Sequence, residues 1–371
     1  MSTTAAIVGF VSLASAMGIG RFAFTPMLPM MQDHAGVTLE QGGWLASANY
    51  AGYFVGALVL SAIELSPRRL TQLGLAAVAM STLAMALTDS FTAWLALRFL
   101  AGVASACVLI GTSGWALAML TRAGREHGSG FVFAGVGTGI MLAGLVVLVA
   151  GFVGATPAQS WLVLGAIALA ALVATLSIPD APELTTLASA AMQRPPTAQV
   201  VRLAMCYGAF GFGYILPATF LPALARQAMP EEMFGWVWPV FGAVATASAL
   251  IAGRMLKRYS ALGVWTASHV IMAAGVIAPA IDGGWVALLI SAIAVGGTFV
   301  VATVAGVEHA RAVAGAAAPR LIATMTSAFA LGQWVGPMTL STGGSFRAPS
   351  LIAALLLVVS AAVLFVSRPA R

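Results

Sequence analysis

The hydrophobic positions of this chain fall into twelve long apolar segments separated by short polar connections. Most segments approach or exceed the ~20 residues that an α-helix needs to cross a bilayer. The segments cover residues 5–31, 42–65, 71–88, 92–119, 129–150, 160–178, 199–224, 234–256, 261–280, 285–308, 320–342 and 348–367. Because lipid offers no hydrogen-bond partners to the backbone, segments of this kind form helices. The pattern therefore predicts an all-α membrane protein with twelve transmembrane helices.

The longest interruption of this pattern, residues 179–198, is polar, rich in proline and central in the chain. Six apolar segments precede it and six follow it. We predict an N-terminal six-helix bundle over residues 1–178, a linker over 179–198 and a C-terminal six-helix bundle over 199–371.

The two halves also look like copies of one another. Gly18-Ile19-Gly20-Arg21 recurs as Gly211-Phe212-Gly213-Tyr214, and Pro29 recurs as Pro222. Further matches keep the offset between 191 and 193 residues, which chance similarity would not do. Since each copy has an even number of helices, the two bundles should be parallel repeats about an axis along the membrane normal.

Composition supports a membrane protein, because 60% of the residues are hydrophobic and only 8% are charged. Soluble domains carry about 25% charged residues. The net charge of +6 does not indicate nucleic acid, because the basic residues are scattered singly between apolar segments. We expect no nucleic-acid partner and a lipid bilayer around the helices.

Two features of the chain could mislead. Ala14-Ser15-Ala16 resembles a signal-peptidase site, but no Lys or Arg precedes the apolar run, which continues to Met31. We interpret this run as the first transmembrane helix. Cys107 and Cys206 both lie inside apolar segments, so we expect two small core residues and no disulfide framework.

The distribution of Lys and Arg predicts the orientation in the membrane. The connections after even-numbered helices, together with the C-terminus, hold thirteen basic residues, and the other connections hold two. Cytoplasmic loops are enriched in Lys and Arg. We therefore predict that both termini and the central linker lie in the cytoplasm, in a multi-pass protein of the cell inner membrane.

Two arginines interrupt the apolar segments. Arg21 lies in the first and Arg98 in the fourth. An Arg at the centre of a membrane helix costs roughly 2.5–3.5 kcal/mol on insertion scales, so it marks a functional site by default. No Asp or Glu lies near the middle of any segment. A buried guanidinium without a carboxylate partner favours an anion, so we predict a small organic anion as substrate.

Other polar residues in the segments are candidates for the same site. Thr25 shares a helical face with Arg21, and Tyr214 occupies the repeat position equivalent to Arg21. The full set of predicted substrate-binding residues is Arg21, Arg98, Tyr214, Asn49, Tyr53, Thr25 and Gln333. For each of them a structural role remains open: the arginines could bind backbone carbonyls, and the others could hold helices together.

The chain resembles the major facilitator superfamily of secondary transporters. The run from Arg98 to Gly102 is similar to the Arg-x-x-x-Gly motif of helix 4, and Gly135, Gly139 and Gly144 resemble the glycine motif of helix 5. Together with the residues around Arg21 and the run from Gly332 to Pro337, this pattern is similar to the YbfB/YjiJ-type branch.

The resemblance implies a transporter that works by alternating access around a central cavity, and not an enzyme. We expect no cofactor or metal, a monomer, and a coupling ion such as H+ or a counter-substrate gradient. Residues expected to serve packing or conformational change are Gly18, Gly20, Gly102, Gly135, Gly139, Gly144, Gly336 and Pro337. The helix 5 and helix 11 glycines among them should allow close contact between the two bundles.

Three alternatives stay open. The first is a multidrug/proton antiporter, which would usually carry a carboxylate in the cavity. The second is a transporter-like sensor without flux. The third is an intramembrane serine protease, because Gly111-Thr112-Ser113-Gly114 matches the Gly-x-Ser-Gly motif and His269 could be the base. His269 could also carry protons.

Overall fold

A computed structural model describes residues 2–60, 65–124, 128–176, 195–341 and 346–367, and these residues form helices and no strand. Twelve long helices follow one another: α1 Thr3–Ala35, α2 Leu39–Leu60, α3 Pro67–Leu87, α4 Phe91–Arg122, α5 Ser129–Phe152, α6 Pro157–Thr175, α7 Thr197–Ala228, α8 Val237–Arg258, α9 Ala261–Ile281, α10 Trp285–Ala314, α11 Ala318–Ser341 and α12 Arg347–Val366. The single turn Glu231–Phe234 precedes α8. The predicted twelve-helix all-α fold is confirmed.

Several helices are longer than the apolar segments that predicted them. The seventh segment, 199–224, became Thr197–Ala228, and the tenth, 285–308, became Trp285–Ala314. Helical hydrogen bonding continues into the polar zone outside the hydrocarbon, whereas hydropathy marks only the part in lipid. Side chains cap several starts: Ser66 accepts a hydrogen bond from the Arg69 amide, and Thr156 forms a capping box with Gln159.

Ten spans in the described residues are long and apolar enough to cross a membrane, and α2 and α11 fall short of the same apolarity. Both helices carry polar side chains within their spans, such as Asn49 in α2 and Gln333 in α11. α2 and α11 pack against each other. Asn49 and Gln333 are fully buried, so these polar groups face protein rather than lipid.

The helix pairings repeat with a shift of six helices. In the first half, α1 packs on α5, α2 on α4, and α3 on both α4 and α6. In the second half, α7 packs on α11, α8 on α10, and α9 on both α10 and α12. This recurrence confirms two pseudo-symmetric six-helix bundles. The predicted linker, 179–198, lies for the most part outside the described residues, so the bundle limits at this point stay a prediction.

In the described residues the two bundles meet mainly along three helix pairs: α5 with α8, α2 with α11, and the second part of α1 with α7. The α5–α8 crossing is very close, because a Cβ on Gly137 would overlap the backbone of Thr246 and a Cβ on Gly242 would overlap that of Met141. The Thr138 and Thr246 hydroxyls are 3.3 Å apart across the same crossing. Gly144 also faces α8, where Pro239 fills the space next to it.

Only part of the glycine prediction was right. Gly144 lies at the junction between the bundles, but Gly135 and Gly139 face the backbone of α1 within the first half, at Phe10 and Ala14. Gly336 packs on the Ile215 side chain of α7, within the second half. The cause is geometric: residues four apart on α5 share one face, and that face contacts α1, whereas Gly137 and Gly144 turn towards α8.

We name the two ends of the molecule for use below. The terminal face holds the starts of the odd-numbered helices and the ends of the even-numbered helices; the opposite face holds the other helix ends. Arg68, Arg122, Arg254, Arg258 and Arg320 lie at the terminal face, as the sequence pattern requires. Cys107 and Cys206 are free, so the expectation of no disulfide between them is confirmed.

Candidate functional site

Arg21 ends a π-helical stretch, Ala14–Arg21, in the middle of α1. The Phe22 amide donates to the Met17 carbonyl five residues back, at 3.2 Å, and the Thr25 amide donates to the Phe22 carbonyl, at 3.2 Å. In a regular α-helix the Thr25 amide would bond the Arg21 carbonyl. The regular series of helical hydrogen bonds is therefore interrupted at the arginine. Short π-helical turns inside α-helices are frequent at functional sites.

Arg98 and Asn49 supply the hydrogen bonds that the interrupted helix lacks. Arg98 donates from Nη2 to the Arg21 carbonyl at 2.9 Å and from Nη1 to the Gly20 carbonyl at 3.2 Å. Asn49 Nδ2 donates to the Gly20 carbonyl at 3.2 Å and to the Arg98 carbonyl at 2.9 Å. Gly102 lets α4 approach α2 here, since a Cβ would overlap the Asn49 carbonyl. The Arg98 and Asn49 side chains thus hold the backbone around Arg21.

The guanidinium of Arg21 reaches from the first bundle into the second. Its Nη2 donates to Gln333 Oε1 at 2.9 Å, and Gln333 Nε2 donates to the Tyr214 hydroxyl. These three side chains are at most 2% exposed. The guanidinium carbon lies 4.0 Å from the centre of the Tyr53 ring and 5.3 Å from that of Tyr50. Such cation–π contacts stabilise a desolvated cation by ~2 kcal/mol.

No carboxylate neutralises either buried arginine in the described parts of the chain. The acidic residues placed there lie near the helix ends: Asp33, Glu40, Asp89, Glu232, Asp282 and Glu308. The Nε atoms of Arg21 and Arg98 are buried and have no hydrogen-bond partner. Buried polar groups are normally satisfied, so an unpartnered N–H on a buried cation requires an explanation. In the same ranges, no group of three or more His, Cys, Asp or Glu side chains could hold a metal ion.

Of the further hydrogen bonds that join the two bundles between Arg21 and the opposite face, three lie on α1 and α2 close to Arg21. In each of them a side chain of α1 or α2 contacts α7 or α11. They join Thr25 Oγ1 to the Ala218 carbonyl at 2.7 Å, the Tyr50 and Thr219 hydroxyls at 3.1 Å, and Ser47 Oγ to the Trp334 carbonyl at 3.2 Å. With the hydrogen bond between Arg21 and Gln333, they connect the two bundles from the centre of the molecule towards the opposite face.

An aromatic wall of the second bundle lies beside Arg21. The Tyr214 ring is stacked between Phe299 of α10 and Phe329 of α11, with both centroid distances at 5.5 Å and interplanar angles of 4° and 9°. The Phe241 ring of α8 continues the wall, 5.7 Å from Phe299. We call Tyr214, Phe299 and Phe329 the aromatic wall below.

The structure brings some predicted site residues together and gives others a backbone partner. Arg21, Gln333, Tyr214 and Tyr53 form one cluster, whereas Arg98, Asn49 and Thr25 donate to backbone carbonyls. Tyr50, Phe299 and Phe329 were not among the site residues predicted from the sequence. Tyr50 follows Asn49, and Phe329 lies one helical turn before Gln333, but aromatic residues are too common in apolar helices for these spacings to single them out.

A cavity of about 440 Å³ opens towards the opposite face, between α1, α5, α7 and α8. Its lining is mainly apolar and includes Pro26, Pro29, Gly144, Leu148, Pro222 and Trp238. At its edge, Arg226 of α7 forms an ion pair with Asp33 of α1 and donates to the Pro29 carbonyl at 3.0 Å. The cavity lies on the same side of Arg21 as the hydrogen bonds of Thr25, Ser47 and Tyr50.

His269 has structural partners on both sides of its ring. It accepts a hydrogen bond from Trp265 Nε1 at 2.8 Å, and its Nδ1 lies 2.9 Å from Ser360 Oγ. These partners belong to α9 and α12, whereas Ser113 of the protease-like tetrapeptide lies on α4. The geometry therefore supports a packing role for His269 and gives no support to a Ser113–His269 dyad.

Comparison with known proteins agrees with this architecture. Residues 13–367 match the family described as "Uncharacterised MFS-type transporter YbfB". A curated protein of Bacillus subtilis (strain 168), "Uncharacterized MFS-type transporter YceJ", is 35% identical over 101 residues. That stretch is 27% of this chain and 26% of the relative.

Solved structures with the same architecture include the nucleoside transporter NupG. Its D323A mutant superposes with a TM-score of 0.75 and 16% identity, over 98% of this chain and 99% of that one. A second NupG structure gives a TM-score of 0.70 at 16% identity, over 98% of each chain. At this identity the similarity shows the fold alone.

Proposed function

Since the chain belongs to the YbfB-type family of the major facilitator superfamily, a family of membrane transporters, we propose that it moves a small organic anion by secondary active transport. The observation that carries the proposal is the Arg21 guanidinium. It is buried at the junction of the two bundles, and its hydrogen-bond and ring partners are all neutral. An anion bound there would touch both moving parts of the transporter at once.

Charge is the physical reason for an anion. Breaking up a buried ion pair by removing one partner costs about 3–5 kcal/mol, because a charge is left uncompensated. Arg21 is in that state when the site is empty, although aromatic rings and one amide reduce the cost. An incoming carboxylate gains from both its charge and the two-pronged guanidinium geometry, which a lysine lacks.

We assign different roles to the two arginines. Arg21 is the substrate clamp, while Arg98 and Asn49 are positioning residues that hold the Gly20 and Arg21 carbonyls. Tyr53 and Tyr50 stabilise the cation from α2. The aromatic wall forms the other side of the site, where it would contact the organic part of the substrate.

A second candidate substrate is a nucleoside. The observation that favours it is the aromatic wall, whose flat rings beside the Gln333 amide could stack on a base and bind its polar edge. The fold shared with NupG is consistent with this candidate but carries no information on substrate. The anion is preferred because a nucleoside leaves the charge of Arg21 uncompensated.

We also propose the energy source and the state of the protein. Proton or counter-substrate exchange drives transport, and the conformation described is closed towards the opposite face. Four hydrogen bonds between the bundles, from Arg21, Thr25, Ser47 and Tyr50, support that assignment. We infer that the terminal face is cytoplasmic, because the basic residues are concentrated there and cytoplasmic loops are enriched in Lys and Arg.

A ligand screen on purified protein tests the substrate class. We expect organic carboxylates to raise the melting temperature of the wild type, since a ligand at 100 times its Kd stabilises by about 2.7 kcal/mol. Arg21→Ala should lose this response, and Arg21→Lys should keep a weak one. Arg311→Ala, at an exposed ion pair with Glu308, is the matched control and should respond like the wild type.

The outcomes separate the candidates. Stabilisation by nucleosides but not by carboxylates would favour the second candidate. Stabilisation by lipophilic cations alone would favour a multidrug/proton antiporter. Uptake into liposomes then separates a transporter from a sensor, because a sensor would bind the anion without moving it.

Labelling tests the orientation. Ala198 at the start of α7 and Thr92 at the start of α4 are exposed and lie at opposite faces. In a chain without Cys107 and Cys206, an impermeant thiol reagent applied to intact cells should modify Thr92→Cys and spare Ala198→Cys. The reverse pattern would show that the terminal face is external.

A further inference from the structure

The Nε and Nη2 groups of Arg21 form a two-pronged fork of N–H donors, and only one of the two prongs has a hydrogen-bond partner. Its Nη2 donates to the Gln333 amide oxygen at 2.9 Å, while its Nε, which points in the same direction as Nη2 in a guanidinium, is buried without a partner. A carboxylate binds such a fork with both oxygens, one to each N–H. Here the single amide oxygen of Gln333 accepts from only one of them.

Gln333 connects this half-filled fork to the second bundle. Its oxygen accepts from Arg21 of α1, and its Nε2 donates to the hydroxyl of Tyr214 in α7. Both groups of the amide are therefore engaged, and Gln333 itself is fully buried. The result is a continuous chain of hydrogen bonds from the first bundle to the second at the level of the site.

We propose that Gln333 occupies the position of one substrate oxygen in the empty protein, and that the substrate displaces it. This inference rests on the anion transport proposed above. A carboxylate carries a negative charge and fills both prongs of the fork, so it competes successfully with a neutral amide that fills one. Displacement also breaks the hydrogen bond from Gln333 to the Tyr214 hydroxyl.

The displacement has a consequence for transport. Because Arg21 and Gln333 lie on different bundles, breaking their hydrogen bond removes one of the links between the bundles. Without substrate, side chains of the site itself connect the two bundles. Substrate binding replaces this internal contact with contacts between the protein and the substrate. Differential affinity of this kind is what allows a ligand to shift a conformational equilibrium.

The sharpest test is Gln333→Glu, which places a fixed carboxylate of the same length next to Arg21. We expect a permanent ion pair, a higher melting temperature without ligand, and at least a 100-fold loss of affinity for the carboxylate found in the screen. The matched control is Gln333→Met, which has the same length and no amide. It should bind the carboxylate at least as tightly as the wild type, because the competitor is gone.

Three results would overturn the proposal. One is wild-type affinity for the carboxylate in Gln333→Glu. Another is a large loss of affinity in Gln333→Met, which would make the amide a direct substrate ligand. A third is a Gln333→Glu protein that melts below the wild type. Failure of the proposed function looks different: the carboxylate would stabilise Arg21→Ala as well as the wild type, whatever the Gln333 variants do.

Discussion

The two copies of the repeat use the same scaffold for different chemistry. In α1, Gly18 lets the helix contact Gly139 of α5; in α7, the equivalent Gly211 lets the helix contact Phe329 of α11. Three residues on, the first copy has Arg21 in an interrupted π-helical stretch, and the second has Tyr214 in an uninterrupted α-helix. Duplication thus preserved the close helix packing while the polar group and the local backbone diverged.

The environment of each residue explains why the difference is stable. Arg21 exposes carbonyls of its own helix, and Arg98 and Asn49 bind them. Tyr214 needs no such support, because its helix is regular and its ring stacks on Phe299 and Phe329. The first bundle therefore supplies a cation and the polar side chains that hold its backbone, and the second bundle supplies a flat apolar surface. The predictions below test this division of labour.

The largest effect is expected from Arg21→Ala. Loss of the charge and of both prongs of the fork should weaken anion binding by 100-fold or more, which corresponds to ~2.7 kcal/mol. Isothermal titration of purified protein measures it. Tyr214→Ala, at the equivalent repeat position, should weaken binding far less; equal losses would contradict the division between cation and apolar surface.

Arg98→Gln should have the next largest effect. It removes one donor from the Arg21 carbonyl and one from the Gly20 carbonyl, which keeps its hydrogen bond from Asn49. A buried carbonyl left unsatisfied costs ~1–3 kcal/mol, so both stability and the placement of Arg21 should suffer. We expect anion affinity to fall about tenfold, with partial recovery in Arg98→Lys, which can still reach one carbonyl. The Arg21→Ala, Arg98→Gln double variant should bind no worse than Arg21→Ala alone. An additive loss would mean that Arg98 touches the substrate directly.

The shared scaffold predicts equal effects from Gly18→Ala and Gly211→Ala. An added Cβ meets the backbone of Gly139 in one case and that of Phe329 in the other. Overpacking of this kind costs ~1–3 kcal/mol. Melting temperatures in detergent measure the cost. Gly151→Ala is the control, because no atom lies within 4 Å of its added Cβ, and it should be neutral or slightly stabilising. A clearly milder effect in α7 would show that its packing has relaxed since duplication.

The smallest effect is expected from Tyr214→Phe. The ring and its stacking remain, and only the hydroxyl that accepts from Gln333 is lost. One neutral hydrogen bond contributes ~0.5–1.5 kcal/mol, so anion affinity should change by only a few-fold. A competition assay against the wild type resolves such a change. A loss as large as that in Arg21→Ala would mean that the hydroxyl is a main substrate ligand.

Sequence alone predicted the membrane, the twelve helices, the duplication and the burial of Arg21. These properties depend on local composition: an apolar run of sufficient length must be helical in lipid, and an arginine within it is costly wherever it points. The equivalence of Arg21 and Tyr214 could also be predicted from the sequence, because a constant offset between matching residues can be recognised without knowledge of the packing.

Tertiary structure decided which helix faces meet. It turned Gly135 and Gly139 towards α1 and left Gly137 and Gly144 for the contact with α8. It showed Arg98 bonded to carbonyls that become available only because α1 is interrupted, and it brought Phe299 and Phe329 to either side of Tyr214. A helix that is apolar all round has no periodicity to reveal its rotation, so these contacts follow only from packing between distant segments.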